Sequence, residues 1–316
     1  MKNLARTLKC LAILIIAAQS HIVVAQWVKA PSKELLEKIP GLVHATFNCA
    51  SMKTMVGYSV VLPPCYETSK QRYPVVYWLH GGGGNECSSL FTAKSWAELY
   101  EAGQVKPVIL VYPNGFRSGY MDHHDGKVMI ESMIIRELVP RIDKQYRTIA
   151  TRAGRAVHGF SMGSSGALKF TAKYPHLFGT AVAYGGGAVN LEHTQSRFIL
   201  DILERNLNSD PKLIRQNNTY NFLENNHSIL WKNGLRVMLI CGDDDSWKES
   251  AVTYRAALQQ KNIPCQIKIV PGVGHSLRGL MAAEGKSAAK FQDIAFREAL
   301  ARESAAARKT QRRPVH

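Results

Sequence analysis

The chain has 316 residues, 46% hydrophobic and 20% charged, enough apolar material for a sizeable core, which excludes a wholly disordered chain or a collagen-like fibre. Six cysteines are too few for a disulfide-dense mini-domain. The excess of 40 Lys and Arg over 24 Asp and Glu bears on solubility and on non-specific contact with polyanions, and names no activity.

Lys2, Arg6 and Lys9 precede an apolar run at 10–18 and a small-residue site at Val23-Val24-Ala25, the pattern of an export signal. Cleavage is expected after Ala25, with Ser20 as the second choice, so residues 1–25 read as a signal peptide and the mature chain as secreted or periplasmic. Gln19, Ser20 and His21 interrupt the run well short of the ~20 apolar residues a spanning helix needs, and no later segment supplies them. Loss of Cys10 leaves five cysteines, an odd number, so at least one thiol has no partner within the chain. Cys241 and Cys265 are expected about one strand length apart, ~17 Å, beyond disulfide reach. Cys49, Cys65 and Cys87 remain as candidate partners.

Residues 43–50 and 57–62 read as two strands around a polar turn at 51–54, so the sheet opens with a hairpin. A short buried strand at 74–79 ends in His80-Gly81-Gly82-Gly83-Gly84, and a helical pattern follows through Trp96, Leu99 and Tyr100. The next strand, 108–112, is closed by Pro113-Asn114-Gly115. A long helix is expected over 129–146, kinked by Pro140. Strand 155–158 runs into Gly159, then a helix proceeds to Tyr174-Pro175, and strand 181–184 follows. Strands alternating with helices, several of them near-continuous apolar runs, predict a mostly parallel sheet covered on both faces.

Between 190 and 234 the rhythm breaks into polar, Asn-rich, partly helical sequence, too long for an ordinary connection. It reads as a helical cap over the site or as a peripheral insert. Strand 235–241 resumes the pattern. Ser246 with Glu249 predicts a capping box for a helix whose Trp247, Ala251, Tyr254 and Leu258 recur at helical spacing as core contacts. Alternation of Cys265, Ile267 and Ile269 with Gln266 and Lys268 predicts a half-exposed last strand. A final helix near 291–301 grades into a basic tail, 305–316, expected to be disordered. The main domain is therefore 26–304, with 190–234 as its cap or insert.

Gly159-Phe160-Ser161-Met162-Gly163 fits G-x-S-x-G at a strand-to-helix junction, where a tight turn projects a serine hydroxyl and the glycines remove clashing Cβ groups. Serine at its ordinary pKa needs a base and a group that orients the base. In such a fold the acid and then the histidine follow in chain order. Gly242-Asp243-Asp244-Asp245 lies just beyond a late strand and His275 in the loop after the last one; by position alone Asp243 and Asp245 are equivalent. Negative charge built up on a carbonyl oxygen calls for N–H donors, which Gly82, after the third strand, and Met162 are positioned to supply. The P-loop Lys-Ser/Thr ending is missing after the glycines. His123-His124-Asp125 lacks a fourth ligand and reads as a polar loop, so neither metal nor cofactor is expected. Nucleic-acid binding has no recognisable module here and conflicts with export.

With these residues in place, the chain resembles the putative-esterase family of α/β-hydrolases, which includes secreted feruloyl and acetyl-xylan esterases and S-formylglutathione hydrolase. The similar segments are 73–84, 113–122, 137–143 with Tyr146-Arg147, 159–167 and 241–275. The resemblance implies an α/β-hydrolase fold, a catalytic Ser161 and His275, oxyanion donors at Gly82 and Met162, and, from the family spacing, Asp245 as the acid. It implies a secreted serine carboxylic-ester hydrolase acting through an acyl-enzyme on a small ester or an acylated polysaccharide such as plant carbohydrate. The alternatives are an acyltransferase to a sugar hydroxyl and a non-catalytic binding protein. This sequence departs from the family at Ser164, where a second Gly is usual, and at Ser276-Leu277-Arg278, where feruloyl-esterase relatives carry Asp and a nearby Trp. Tyr120 and Asp122 fit a Trp-Tyr-x-Asp segment with Gly119 in place of the Trp; Tyr120 reads either as a substrate-binding pocket residue or as packing.

Overall fold

A computed structural model describes residues 26–311; the expected signal peptide and the last five residues of the basic tail lie outside them. One eight-stranded sheet organises the chain: β1 (Leu42–Cys49), β2 (Thr54–Val61), β3 (Val75–Leu79), β4 (Ile109–Pro113), β5 (Arg155–Phe160), β6 (Thr180–Tyr184), β7 (Arg236–Gly242) and β8 (Cys265–Val270). Their order is β1-β2-β4-β3-β5-β6-β7-β8. β1 and β2 form the opening hairpin, β2 pairs antiparallel with β4, and every later pair is parallel.

The helices are α1 (Lys33–Lys38), α2 (Ala93–Glu101), a composite α3 over 130–145, α4 (Met162–Lys173), α5 (Arg197–Leu207), α6 (Pro211–Arg215), α7 (Thr219–Lys232), α8 (Lys248–Gln260) and α9 (Leu277–Gln311). Strand alternation divides the core. Val75, Tyr77 and Leu79 point to the face that α3 and α4 cover, with Ile134 and Phe170 among their neighbours, while Val76 and Trp78 point to the face that α2 and α9 cover. Towards β7, the first face is completed by Leu223 and Leu230 of α7 and Tyr254 and Leu258 of α8. Each fully buried aliphatic or aromatic side chain contributes roughly 1.5–3 kcal/mol by leaving water, so strands apolar on both faces are stable only in such a sandwich.

The structure departs from the sequence reading in several places. Instead of a simple kink at Pro140, the chain runs through a π-helical stretch, Met133–Leu138, just before it. The wider turn accommodates a residue with no N–H to offer the preceding turn. The Ser246–Glu249 capping box does not form: α8 begins at Lys248 with Trp247 in the N-cap position and no side-chain cap, so Ser246 lies one residue outside the cap; Asp245 Oδ1 accepts the Trp247 N–H at 2.8 Å. The last helix is 35 residues long, starting at Leu277, so 305–311 are helical, where disorder was expected. All five described cysteines are free, including the three candidate partners. Cys265 pairs in register with Val237 and Cys241 with Ile269, at opposite ends of the β7–β8 ladder. Among the described residues, no helix is long and apolar enough to cross a membrane.

Candidate active site

The site forms where β5 turns into α4. Ser161 sits at φ 56°, ψ −114°, a backbone conformation that costs a non-glycine residue on the order of 1–3 kcal/mol, and its N–H donates to Tyr184 O at 2.8 Å. Both flanking glycines are required by space. A Cβ on Gly159 would lie 2.1 Å from Gly163 O, and one on Gly163 would lie 2.1 Å from Leu79 O. The turn is thus as tight as the G-x-S-x-G pattern demands, and it aims the serine hydroxyl out of the sheet.

The loop after β8 brings His275 to that hydroxyl, with Nε2 2.8 Å from Ser161 Oγ. Nδ1 of the same ring lies 2.8 Å from Asp245 Oδ2, and the ring packs on Phe160 with centroids 4.8 Å apart. Asp245 is buried and its second oxygen is occupied by the Trp247 N–H, so its carboxylate is held in one orientation. Asp243 is not part of this chain of bonds; its Oδ1 is buried with no hydrogen-bond partner among the described residues. Asp244 is exposed. Cys241 lies next to Asp245, and burial followed by that carboxylate's charge pushes its thiol up to about 12, so it remains protonated.

The glycine loop after β3 is tied down carbonyl by carbonyl. Tyr120 OH donates to His80 O at 3.0 Å; His80 Nδ1–H and Gly84 N–H donate to Gly81 O at 2.7 and 2.9 Å; and Arg117 Nε–H donates to Gly82 O at 3.0 Å. His80 Nε2 accepts the Gly115 N–H at 2.8 Å, which fixes the neutral Nδ1–H tautomer, and burial lowers this histidine to about 4. The Gly82 N–H has no acceptor among the described residues, and Met162 opens α4, where N–H groups have no intrahelical partner. Gly82, Met162, Ser161 and His275 line one cavity of about 570 Å³.

Tyr120 does not line it. The side chain is fully buried, with its ring filling the space that a Cβ on Gly115 or Gly166 would enter, 2.4 and 2.7 Å away. The substrate-contact reading of Tyr120 is therefore corrected: it braces the glycine loop. Burial raises its phenol well above the ordinary value, so it stays a donor. Its own carbonyl, at φ 54°, accepts from Lys169 Nζ at 2.6 Å. Lys169 is in turn paired with Glu131 at 2.7 Å, and Lys173 reaches the same carboxylate at 2.6 Å. Burial opposes ionisation of Glu131, but the two ammonium groups outweigh it and hold the carboxyl at about 2.

The putative esterase family matches residues 49–307. The chain belongs to that family. An esterase of Mycobacterium tuberculosis strain H37Rv is 38% identical over 156 residues, covering 48% of this chain and 34% of the relative. An endo-1,4-beta-xylanase/feruloyl esterase of Xylanibacter ruminicola is 34% identical over 154 residues, 46% of this chain and 21% of that protein. The chain therefore covers about a third or less of the length of these curated relatives. Among solved structures, a ferulic acid esterase superposes with a TM-score of 0.68 at 23% identity over 80% of this chain and 98% of that one. An S-formylglutathione hydrolase from Agrobacterium tumefaciens gives 0.67 at 17% identity over 81% and 95%. At these identities the likeness is one of fold.

In this family member the segment 190–234 contributes α5 directly to the cavity through Phe198, Ile199, Ile202 and Arg205, so a wall of the site comes from the stretch that read as cap or insert. Trp247, expected in the core, is half-buried at the cavity and meets Phe198 edge-on at 6.2 Å; Ala251, Tyr254 and Leu258 are in the core as expected. Ser164, the departure after the elbow, is buried and donates to Gly186 O at 2.7 Å, fixing another cavity residue. Sequence reasoning missed Glu131, Lys169 and Arg117. Lys169 falls eight residues after Ser161 on α4 and so shares its helical stripe, the one signal that pointed to it.

Proposed function

We propose that the chain is a serine carboxylic-ester hydrolase that works through an acyl-enzyme, with Ser161 as nucleophile, His275 as base and Asp245 as its orienting acid. The observation that supports this reading most is the run of two 2.8 Å contacts, Asp245 to His275 to Ser161, ending at a hydroxyl that faces a cavity. As Ser161 Oγ attacks the ester carbonyl carbon, its proton passes to His275 Nε2. The imidazolium that forms is stabilised by Asp245. The oxyanion rests on the N–H groups of Gly82 and Met162, and the positive end of the α4 dipole favours the same charge. When the intermediate collapses, the carbon–oxygen bond to the alcohol breaks and His275 returns the proton to the departing oxygen. Water then attacks the acyl-enzyme while His275 takes its proton; the bond to Ser161 Oγ breaks, the proton goes back to the serine, and the carboxylic acid leaves.

The largely apolar cavity, walled by Phe198, Ile199, Ile202 and Trp247, suits the ester of a small or medium acyl group, and the feruloyl esterase relative favours acylated carbohydrate. The export signal read from 1–25 makes the enzyme secreted or periplasmic. The test is a fluorophosphonate and a panel of acetyl, butyryl and feruloyl esters applied to residues 26–316. Phosphonylation should fall on Ser161, with loss of fluoride. Ser161→Ala should abolish labelling and lower ester turnover by ~10⁴-fold or more at an unchanged Tm. Residual turnover near wild type in the folded variant refutes the assignment.

A further inference from the structure

The cavity carries more positive charge than the proposed chemistry uses. Arg117 and Arg205 both line it, and they are adjacent: Arg205 Nη2 lies 3.5 Å from the Arg117 carbonyl oxygen. The Nε–H of each is anchored, that of Arg117 on Gly82 O at 3.0 Å and that of Arg205 on Asn206 Oδ1 at 3.2 Å. Anchoring through Nε orients each guanidinium; Arg205 Nη2 also donates to the Arg117 carbonyl, which leaves both Nη groups of Arg117 and Nη1 of Arg205 to meet a carboxylate or phosphate. Elsewhere in the chain Arg155, Arg215, Arg236 and Arg297 each have a carboxylate within 3.0 Å. Among the described residues, neither Arg117 nor Arg205 does.

Neighbouring charges do not cancel this pair. Asp201, one turn before Arg205 on α5, also lines the cavity but forms no ion pair with it, and it is one negative charge against two positive ones. Lys169, at another part of the lining, is already committed to Glu131. Two guanidinium groups lining one cavity beside the nucleophile raise the positive potential there, and an anion entering the cavity lowers it.

We infer that Arg117 and Arg205 form an anion subsite, and that the preferred substrate is an ester bearing a carboxylate or a comparable anion on its acyl or its alcohol part. This inference rests on the hydrolase reading above and narrows it. Because Arg117 also secures Gly82, an anion seated there lies close to the donor on which the oxyanion rests. Both arginines are solvent-exposed, so the preference is sensitive to ionic strength, with a screening length of about 10 Å at 0.1 M salt.

The experiment uses two matched pairs of probes on the purified chain. For charge on the acyl group, mono-4-nitrophenyl adipate is compared with 4-nitrophenyl hexanoate. For charge on the alcohol, the butyryl ester of 3-hydroxybenzoate is compared with that of 3-hydroxybenzamide. In at least one pair the anionic member should show a kcat/KM about ten-fold above its neutral twin at low salt, and the pair that does so identifies which part carries the anion. The advantage should shrink as salt is raised, fall about ten-fold in Arg205→Gln and return in part in Arg205→Lys, which restores the charge without the fork. Neutral esters turned over at least as fast as anionic ones in both pairs would overturn the inference and leave the hydrolase reading standing, as would an advantage undiminished in Arg205→Gln. If no ester is hydrolysed and Ser161 takes no phosphonate, the hydrolase reading fails and the subsite falls with it.

Discussion

Tyr120→Phe removes a single oxygen from the interior and tests whether the glycine loop needs bracing for turnover. The phenylalanine ring still fills the space beside Gly115 and Gly166, so no cavity opens beyond the hydroxyl. The lost 3.0 Å bond leaves the buried His80 carbonyl without its donor, at a cost of about 1–3 kcal/mol in stability. Removing an oxyanion donor outright costs about 10²–10³ in kcat elsewhere. Here the Gly82 N–H is still present and its carbonyl is still held by Arg117, so misalignment of the loop should cost less, about 10–100-fold in kcat. The assay is steady-state hydrolysis of a neutral ester across pH, alongside chemical denaturation. KM should move by less than about three-fold, and the pH profile should keep its shape because the hydroxyl does not titrate in that range. A large rise in KM at constant kcat would show that Tyr120 touches substrate after all. An unchanged kcat in a destabilised protein would reduce it to packing, and in either case the bracing argument is wrong.

Two further expectations concern charge. Asp245→Asn should lower kcat by about 10⁴-fold with little change in fold, in line with loss of the acid in other triads, whereas Asp243→Asn should stay within a few-fold; a greater loss at Asp243, measured on the same ester, reverses the assignment. For Glu131, a carboxyl held at about 2 against an ordinary 4.5 is worth about 3 kcal/mol, comparable to the cost of breaking a buried ion pair. Because its folded-state value is depressed, that stability is complete above pH 4.5 and is lost as pH falls from there through about 2; denaturation curves at pH 7 and pH 3 should show the wild-type margin over Glu131→Gln narrowing by about 2 kcal/mol, and a margin as large at pH 3 as at pH 7 contradicts the pairing.

Much of the fold was readable because its signals are local. Val75 to Leu79 is apolar at every position, which only a strand buried on both faces tolerates, and Gly159 answers to a contact between β5 and α4 that adjoin in sequence. The acid was harder. Asp243, Asp244 and Asp245 are indistinguishable by type, and which of them meets His275 depends on the carboxylate that the turn after β7 directs inward, a fact of tertiary geometry that the local pattern does not carry. The capping box failed for a related reason: the turn that directs Asp245 starts the helix at Lys248 and puts Trp247, not Ser246, in the cap position. The Glu131–Lys169 pair joins residues 38 apart, and nothing in either neighbourhood announces a buried charge. The tail misled because alanine-rich, basic sequence reads equally as a solvated end or as a helix, and α9 propagates from a well-packed start through Leu280 and Phe291.

The helix α5 belongs to the connection between β6 and β7, which carries none of the three residues assigned to bond-making. Its attachment beneath the cavity runs through Asn206, whose amide donates to Ser118 O at 2.9 Å and whose carbonyl accepts the His124 N–H at 2.8 Å. On the reading proposed above, selectivity and reactivity are carried by separable parts of the polypeptide. Exchanging 197–205 for other helical sequence, with Asn206 and the buried Leu203 and Leu207 retained, offers a route to new acceptance profiles on an untouched reaction centre.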